Sequence, residues 1–255
     1  MTRPASPAEV AIALYADSTA PTLVVWVDSL PVAYPLVDVM ADGSFLVVGA
    51  RCHWAADGAE LNAVAIDRDG RILRRGCLGD GIGQLQVGAD GTIWAGYFDE
   101  GVFGNYGWGG SGPRPLGAGG IAAWSPDFEK VWELDPEDGL VSDCYSLNVG
   151  GDEVLSCPYT DFPVVRIMER KVQIFPTQDV SGPSGILASG DEVALIGTYG
   201  DSSLIVRGRI EDGSCQETER GHLALPDGTD RIHCRGSVAH FIADRSWSTF
   251  DLAET

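Results

Sequence analysis

The stretch PLVDVMADGSFLVV, Pro35 to Val48, reads as an apolar strand, a tight turn at Ala41-Asp42-Gly43 and a second apolar strand running back. QLQVGADGTIWAGY, Gln84 to Tyr97, repeats that order, with Asp90 placed 48 positions after Asp42. β-Branched and aromatic runs broken by Asp-Gly are hairpin composition: the glycine takes the positive φ of the turn, and the flanking residues fill a pleated surface. Working outward, the first copy continues through Asn62 to Ile66, the turn Asp67-Arg68-Asp69-Gly70, and Arg71 to Cys77. The second continues, after a long loop, through Ile121 to Trp124 and Val131 to Leu134. A third copy spans Tyr145 to Phe175, a fourth Gly185 to Glu219, and a fifth Arg231 to Leu252, which ends one strand short. With 33 Gly, 14 Pro and no long stretch of helical period, the chain is expected to be all-β.

Antiparallel four-strand units of about 40 to 45 residues that recur along a chain are the pattern of propeller blades. From Pro35 to the C-terminus the sequence resembles β-propeller repeat proteins as a broad class, a resemblance carried by turn spacing; no Trp-Asp pair closes a unit as in WD40 repeats. The resemblance implies a single domain over residues 1–255, with blades at about 35–78, 79–136, 137–178, 179–222 and 223–255. A last blade lacking a strand would leave an open edge. The apolar run Thr22 to Val27 is therefore expected to complete it, giving a five-bladed β-propeller closed by the N-terminal strand. Val10 to Leu14 stays unassigned, and six blades are the alternative.

Composition narrows the partners. The 255 residues carry 37 Asp and Glu against 17 Lys and Arg, a net charge of −20. Nucleic acid and anionic membrane surfaces bind clustered Lys and Arg, so neither is expected as a partner. The segment Thr22 to Met40 is interrupted by Asp28, Pro31, Pro35 and Asp38, which excludes a lipid-spanning helix. Met1 to Ala8 carries only Arg3 as a cation, and Val10 to Leu14 is too short for the core of a signal peptide, so a cytoplasmic location is expected. The six cysteines form no Cys-x-x-Cys, and reduced thiols are expected, with a three-bridge framework as the alternative.

Within each blade, the connections after the first and third strands are minimal turns, while those after the second strand are long and rich in functional side chains. Tyr97-Phe98-Asp99, Tyr159-Thr160-Asp161 and Tyr199-Gly200-Asp201 are all Tyr-x-Asp, a spacing that sends both side chains to one side of an extended strand. The first unit adds His53 and Trp54 beside Arg51, and the fifth adds Asp244, Arg245 and Trp247. Around one axis these residues would form an aromatic and acidic ring at one channel mouth; the other reading is that each Tyr packs on the next blade and each Asp caps its own loop. The insertion from Asp99 to Gly120, with Glu100, Tyr106 and Trp108, is read as a lid or as a loop packed on itself. Asp38, Gln86 and Asn148 fall at matching places on the innermost strands and would line the channel or bond neighbouring blades to one another.

Familiar motifs are absent. Gly107 to Gly112 matches G-x-G-x-x-G, but Pro113 and Pro115 follow and no helix can start there. Asp67-Arg68-Asp69-Gly70 lacks the later Glu of a calcium loop, the four histidines form no H-E-x-x-H, and no G-x-S-x-G occurs. The function expected first is recognition of a small polar or cationic ligand, or of a basic protein segment, through Tyr97, Tyr159, Tyr199 and their neighbours. The alternative is hydrolysis of a glycoside or lactone, with Asp99, Glu100, Asp161, Asp201 and Asp244 as acid and base or as holders of a divalent cation; no other cofactor is implied.

Overall fold

The computed structural model describes residues 8–16, 20–244 and 246–254. Five antiparallel sheets follow one another along the chain, each ordered as its strands occur in sequence. The first contains Pro35–Val39, Phe45–Gly49, Ala63–Ile66 and Ile72–Gly76, and the second Ile82–Val87, Ile93–Tyr97, Ile121–Trp124 and Lys130–Glu133. The third contains Asp143–Gly150, Glu153–Tyr159, Val164–Met168 and Lys171–Phe175, and the fourth Gly185–Ser189, Glu192–Thr198, Asp201–Glu211 and Ser214–His222. The fifth has three strands, Arg231–Arg235, Val238–Ile242 and Trp247–Asp251. The turns form for the reason their sequence suggests: the Asp42 carboxylate accepts the Ser44 amide at 2.9 Å, and Asp90 accepts that of Thr92 at 2.9 Å. Among the described residues, no helix is long and apolar enough to cross a membrane, and all six cysteines are free thiols.

Consecutive sheets share apolar layers. Leu155 and Val164 of the third sheet pack with Ile186, Val193 and Leu195 of the fourth. Their chain neighbours Val154 and Val165 turn the other way, into a layer with Ile121 and Leu134 of the second unit. Successive side chains of a strand point to opposite faces, so a sheet covered on both sides needs apolar residues at every position. That is why these strands read as unbroken apolar runs. Leu46, Val48 and Ala65 join Leu85, Val87 and Ala122 between the first and second sheets, and Leu187 and Ile196 join Ala239 and Phe241 between the fourth and fifth.

The N-terminal strand departs from expectation. Leu23–Leu30, which contains most of the run Thr22 to Val27, pairs antiparallel with Ala8–Leu14, placing Val25 opposite Ile12. Among the described residues the strand Trp247–Asp251 pairs only with Val238–Ile242, so the closure of the fifth sheet by residues 22–27 is not formed. Two causes favour the hairpin. Val10 to Leu14 lies close upstream, and closing a short loop costs less entropy than joining distant ends of the chain. The first sheet also has an outer face to cover: Val25, Val27 and Leu30 pack on Phe45, Val47, Val64 and Ile66.

The first strands of the sheets are joined to one another by a polar network. Gln86 donates to the Leu147 carbonyl at 3.0 Å and the Cys234 carbonyl at 2.9 Å, and accepts the Val149 amide at 2.8 Å. Asn148 donates to the carbonyls of Ile186 and Gly236 at 2.7 and 2.8 Å and accepts the Gly236 amide at 2.7 Å. Asp38 accepts the Val87 amide at 2.7 Å and the Arg235 guanidinium at 2.6 Å. These three side chains bond sheet to sheet, and Gln86 and Asn148 are each only 2% exposed. Gln86→Leu leaves three main-chain groups inside without their partner; a loss of about 3 kcal/mol is expected. The urea midpoint of the variant against that of the parent chain measures it.

Candidate functional site

At the end of the sheets opposite the Asp-Gly turns, four rings from the third and fourth units meet. The Tyr145 ring lies 5.3 Å from Phe162 and 5.7 Å from Tyr199, both edge to face. Tyr159 lies 5.6 Å and Tyr199 5.9 Å from Phe162. Phe162 is buried and forms the floor, while Tyr159 and Tyr199 are 44% and 57% exposed. The Tyr199 hydroxyl donates to that of Tyr145 at 2.5 Å, and this bond, with partial burial, pushes the Tyr145 phenol up to about 12. Gln84 fixes the cluster to the second sheet by donating to the Tyr145 carbonyl at 3.0 Å.

A carboxyl pair borders the rings. Asp143 stands opposite Tyr159 in the third sheet. Burial, reinforced by the negative charge of Asp99, pushes the Asp143 carboxyl up to about 6. Asp99 opens the short helix Asp99–Phe103. An aromatic cup with an acidic border can hold the flat or cationic face of a ligand, and a carboxyl that is half-protonated near pH 6 can exchange a proton.

Of the three Tyr-x-Asp tyrosines, Tyr159 and Tyr199 come together and Tyr97 does not. Tyr97 is fully buried, with its hydroxyl donating to the Leu78 carbonyl at 2.7 Å. The difference follows from what comes next in the chain: the connections after Tyr159 and Tyr199 are brief, whereas the insertion after Tyr97 folds back and lays Gly117 against its ring. Asp201 caps its own loop, accepting the Ser203 amide at 3.0 Å, and lies 3.0 Å from His222. Asp161 and Asp244 are exposed, and Trp247 donates to His240 on the fifth sheet at 3.1 Å. Arg245 lies outside the described residues. Among the described residues no three His, Cys, Asp or Glu side chains group as metal ligands would.

The insertion is clamped on the first sheet. Arg51 grips Asp80 through two bonds of 3.0 and 2.9 Å, bonds Glu100, and lies 4.2 Å over the Tyr106 ring. The carboxylates overcome the partial burial of the guanidinium and hold its pKa above the ordinary arginine value. Asp80 is buried and also accepts the Cys52 amide at 2.7 Å. Trp108 is buried and donates to the Cys52 carbonyl at 2.8 Å; Trp54 donates its amide to the Tyr106 carbonyl at 2.9 Å. Gly107 sits so close to the Trp54 carbonyl that a Cβ would approach it to 2.2 Å, so only glycine fits. His53 completes this corner, its ring 4.2 Å from that of Tyr106. Asp80, Tyr145, Phe162 and Asp143 are the contributors that sequence reasoning missed; Gly79-Asp80-Gly81 is the local signal for the first.

The Asp143 shift has a testable sign. A carboxyl raised from 3.8 to about 6 binds more proton in the folded than in the unfolded chain between those values, so stability falls as pH rises through that window. Asp143→Asn should therefore melt higher than the parent at pH 7 and at nearly the same temperature at pH 3.5. Thermal unfolding across the range measures it; equal differences at both pH values would remove the charged Asp143 from this account.

No protein-family model matches the chain, and no curated protein matches it. Solved structures do. A candidate 6-phosphogluconolactonase from Bacteroides fragilis NCTC 9343 superposes with a TM-score of 0.53 at 15% identity, over 98% of this chain and 79% of that one. A functionally unknown protein from Desulfotomaculum acetoxidans DSM 771 gives 0.54 at 10% identity, over 93% and 74%. A chain of a nidogen and laminin complex gives 0.55 at 8% identity, over 98% and 88%. At these identities the likeness concerns the fold alone, which is all-β and propeller-like.

Proposed function

We propose that the protein is a recognition module that seats a small polyhydroxylated or cationic ligand, or a basic protein segment, on the cup of Tyr145, Tyr159, Phe162 and Tyr199. In this reading the five sheets are blades about one axis, and the N-terminal hairpin takes the place of a partial sixth. Six unpaired thiols suit a reducing compartment such as the cytoplasm. The observation that carries the reading is the convergence of four rings with two of them open to solvent, since exposed aromatic faces gain by covering apolar or cationic groups. Asp99 and Asp143 add negative potential at the rim, and the net charge of −20 draws cations towards it.

Titration calorimetry with choline, a lysine-rich peptide and a neutral oligosaccharide tests this. Binding of at least one is expected, weakened about 10-fold by Tyr199→Ala or Tyr159→Ala, the scale of one lost aromatic contact. Binding of the peptide should weaken with salt, and that of the sugar should not. Saturation by none of the three, or affinities that both substitutions leave untouched, overturns the reading.

One observation favours a second reading, hydrolysis. A carboxyl titrating near 6 beside a second carboxylate is the arrangement a general acid needs, and the propeller-like fold shared with the candidate lactonase accommodates such chemistry as readily as binding. Turnover of a lactone or glycoside that disappears in Asp143→Asn would favour it over recognition alone.

A further inference from the structure

A pocket of about 350 Å3 opens at the first sheet, apart from the aromatic cup. One wall is the linker between the N-terminal hairpin and the first sheet, where Pro31, Val32 and Ala33 give an apolar surface that Leu61 continues opposite. Tyr34 and Tyr106 contribute rings, and His53 stands beside Tyr106. Three charged side chains also line it: Arg51, Glu60 and Arg75. Their commitments differ. Arg51 is neutralised by Asp80 and Glu100, and Glu60 accepts the His53 amide at 3.0 Å. The exposed Arg75 side chain has no hydrogen bond, ion pair or ring contact among the described residues, whereas its neighbour Arg74 donates to the Pro126 carbonyl at 2.8 Å and lies over Phe128.

We propose that this pocket binds a small organic monocarboxylate with a flat ring, its carboxylate on the Arg75 guanidinium and its ring between the tyrosines and the apolar linker. The guanidinium fork matches a carboxylate with two parallel bonds. Arg75 is the lining cation without a carboxylate partner among the described residues, and with Glu60 also lining the pocket it can serve only one negative charge; a phosphate dianion would call on a second cation, and Arg51 is already taken. A cationic ligand would face Arg75, and a neutral sugar would leave it unused. The apolar and aromatic walls supply what a ring gains on leaving water. This proposal does not rest on the aromatic cup: a protein that binds nothing there can still bind here.

Titration of the folded chain with benzoate, followed by amide chemical shifts, tests it. Benzamide has the same shape without the charge, and inorganic phosphate the charge without the ring. Saturation by benzoate is expected, centred on amides of residues 32–34 and 51–62, with benzamide and phosphate at least about 10-fold weaker. Arg75→Gln should weaken benzoate about 10-fold or more, and Arg75→Lys should recover part of the loss. Since the exposed Arg75 side chain has no partner among the described residues, both variants should melt with the parent, so a lost affinity reports the site. Failure of benzoate to saturate, equal binding of benzamide, an unchanged affinity in Arg75→Gln, or shifts confined to residues 143–162 and 197–201 overturns the proposal.

Discussion

Apolar layers between successive sheets drive their association, yet such contacts carry little directional information: a layer of Val, Leu and Ile tolerates sliding and rotation. The bonds at the innermost strands do not. Gln86 reaches from the second sheet to the third and fifth, Asn148 from the third to the fourth and fifth, and Asp38 from the first to the second and to Arg235 of the fifth. Each is a buried or half-buried polar side chain whose partners are mainly main-chain groups, so a shift of one strand would strand donors and acceptors away from water. The fifth sheet profits most. Among the described residues it lacks a fourth strand, but it receives bonds from each of the first three sheets, which hold it from the inside as its apolar face packs on the fourth.

Both candidate sites depend on that arrangement. The aromatic cup needs the third and fourth sheets side by side, because Tyr145 and Tyr159 come from one and Tyr199 from the other. The pocket has a different origin. The first sheet would expose Phe45, Val47, Val64 and Ile66 if nothing covered them, and the hairpin that covers them must return to the strand starting at Pro35 through residues 31–34. Those linker residues become a wall of the pocket. Covering a hydrophobic face has thus placed an apolar surface beside Arg75, Tyr34 and Tyr106.

The parts legible in the sequence were those fixed by neighbours along the chain. Asp42-Gly43 and Asp90-Gly91 form their turns through contacts within a few residues, so their spacing located the strands of the first two sheets closely. The apolar runs around Val154 and Val193 likewise declared strands buried on two faces. What escaped depends on distant partners. Residues 22–27 are apolar and extended in either arrangement, and only the choice between two available partners decides where they sit. Tyr97, Tyr159 and Tyr199 share one local pattern, but an insertion folded over the first of them cancels its exposure. Asp80 is a turn residue by sequence and a buried counter-ion by structure, because Arg51 lies 29 positions away.

As proposed, the two sites would select opposite charges within one acidic chain, and distance explains how. Long-range potential follows the net charge and fades over about 10 Å at ordinary ionic strength. It brings cations towards the whole molecule and towards Asp99 and Asp143 beside the cup, where local and global fields agree. At the pocket they disagree. There the far field and the Glu60 carboxylate oppose an anion, while the guanidinium of Arg75, which pairs with no carboxylate among the described residues, attracts it at contact distance. Contact terms exceed screened distant ones, so the pocket can accept a carboxylate that the rest of the surface repels. The repulsion elsewhere then works as selectivity, keeping polyanions that need an extended footprint away while leaving room for a small one that needs only a single fork.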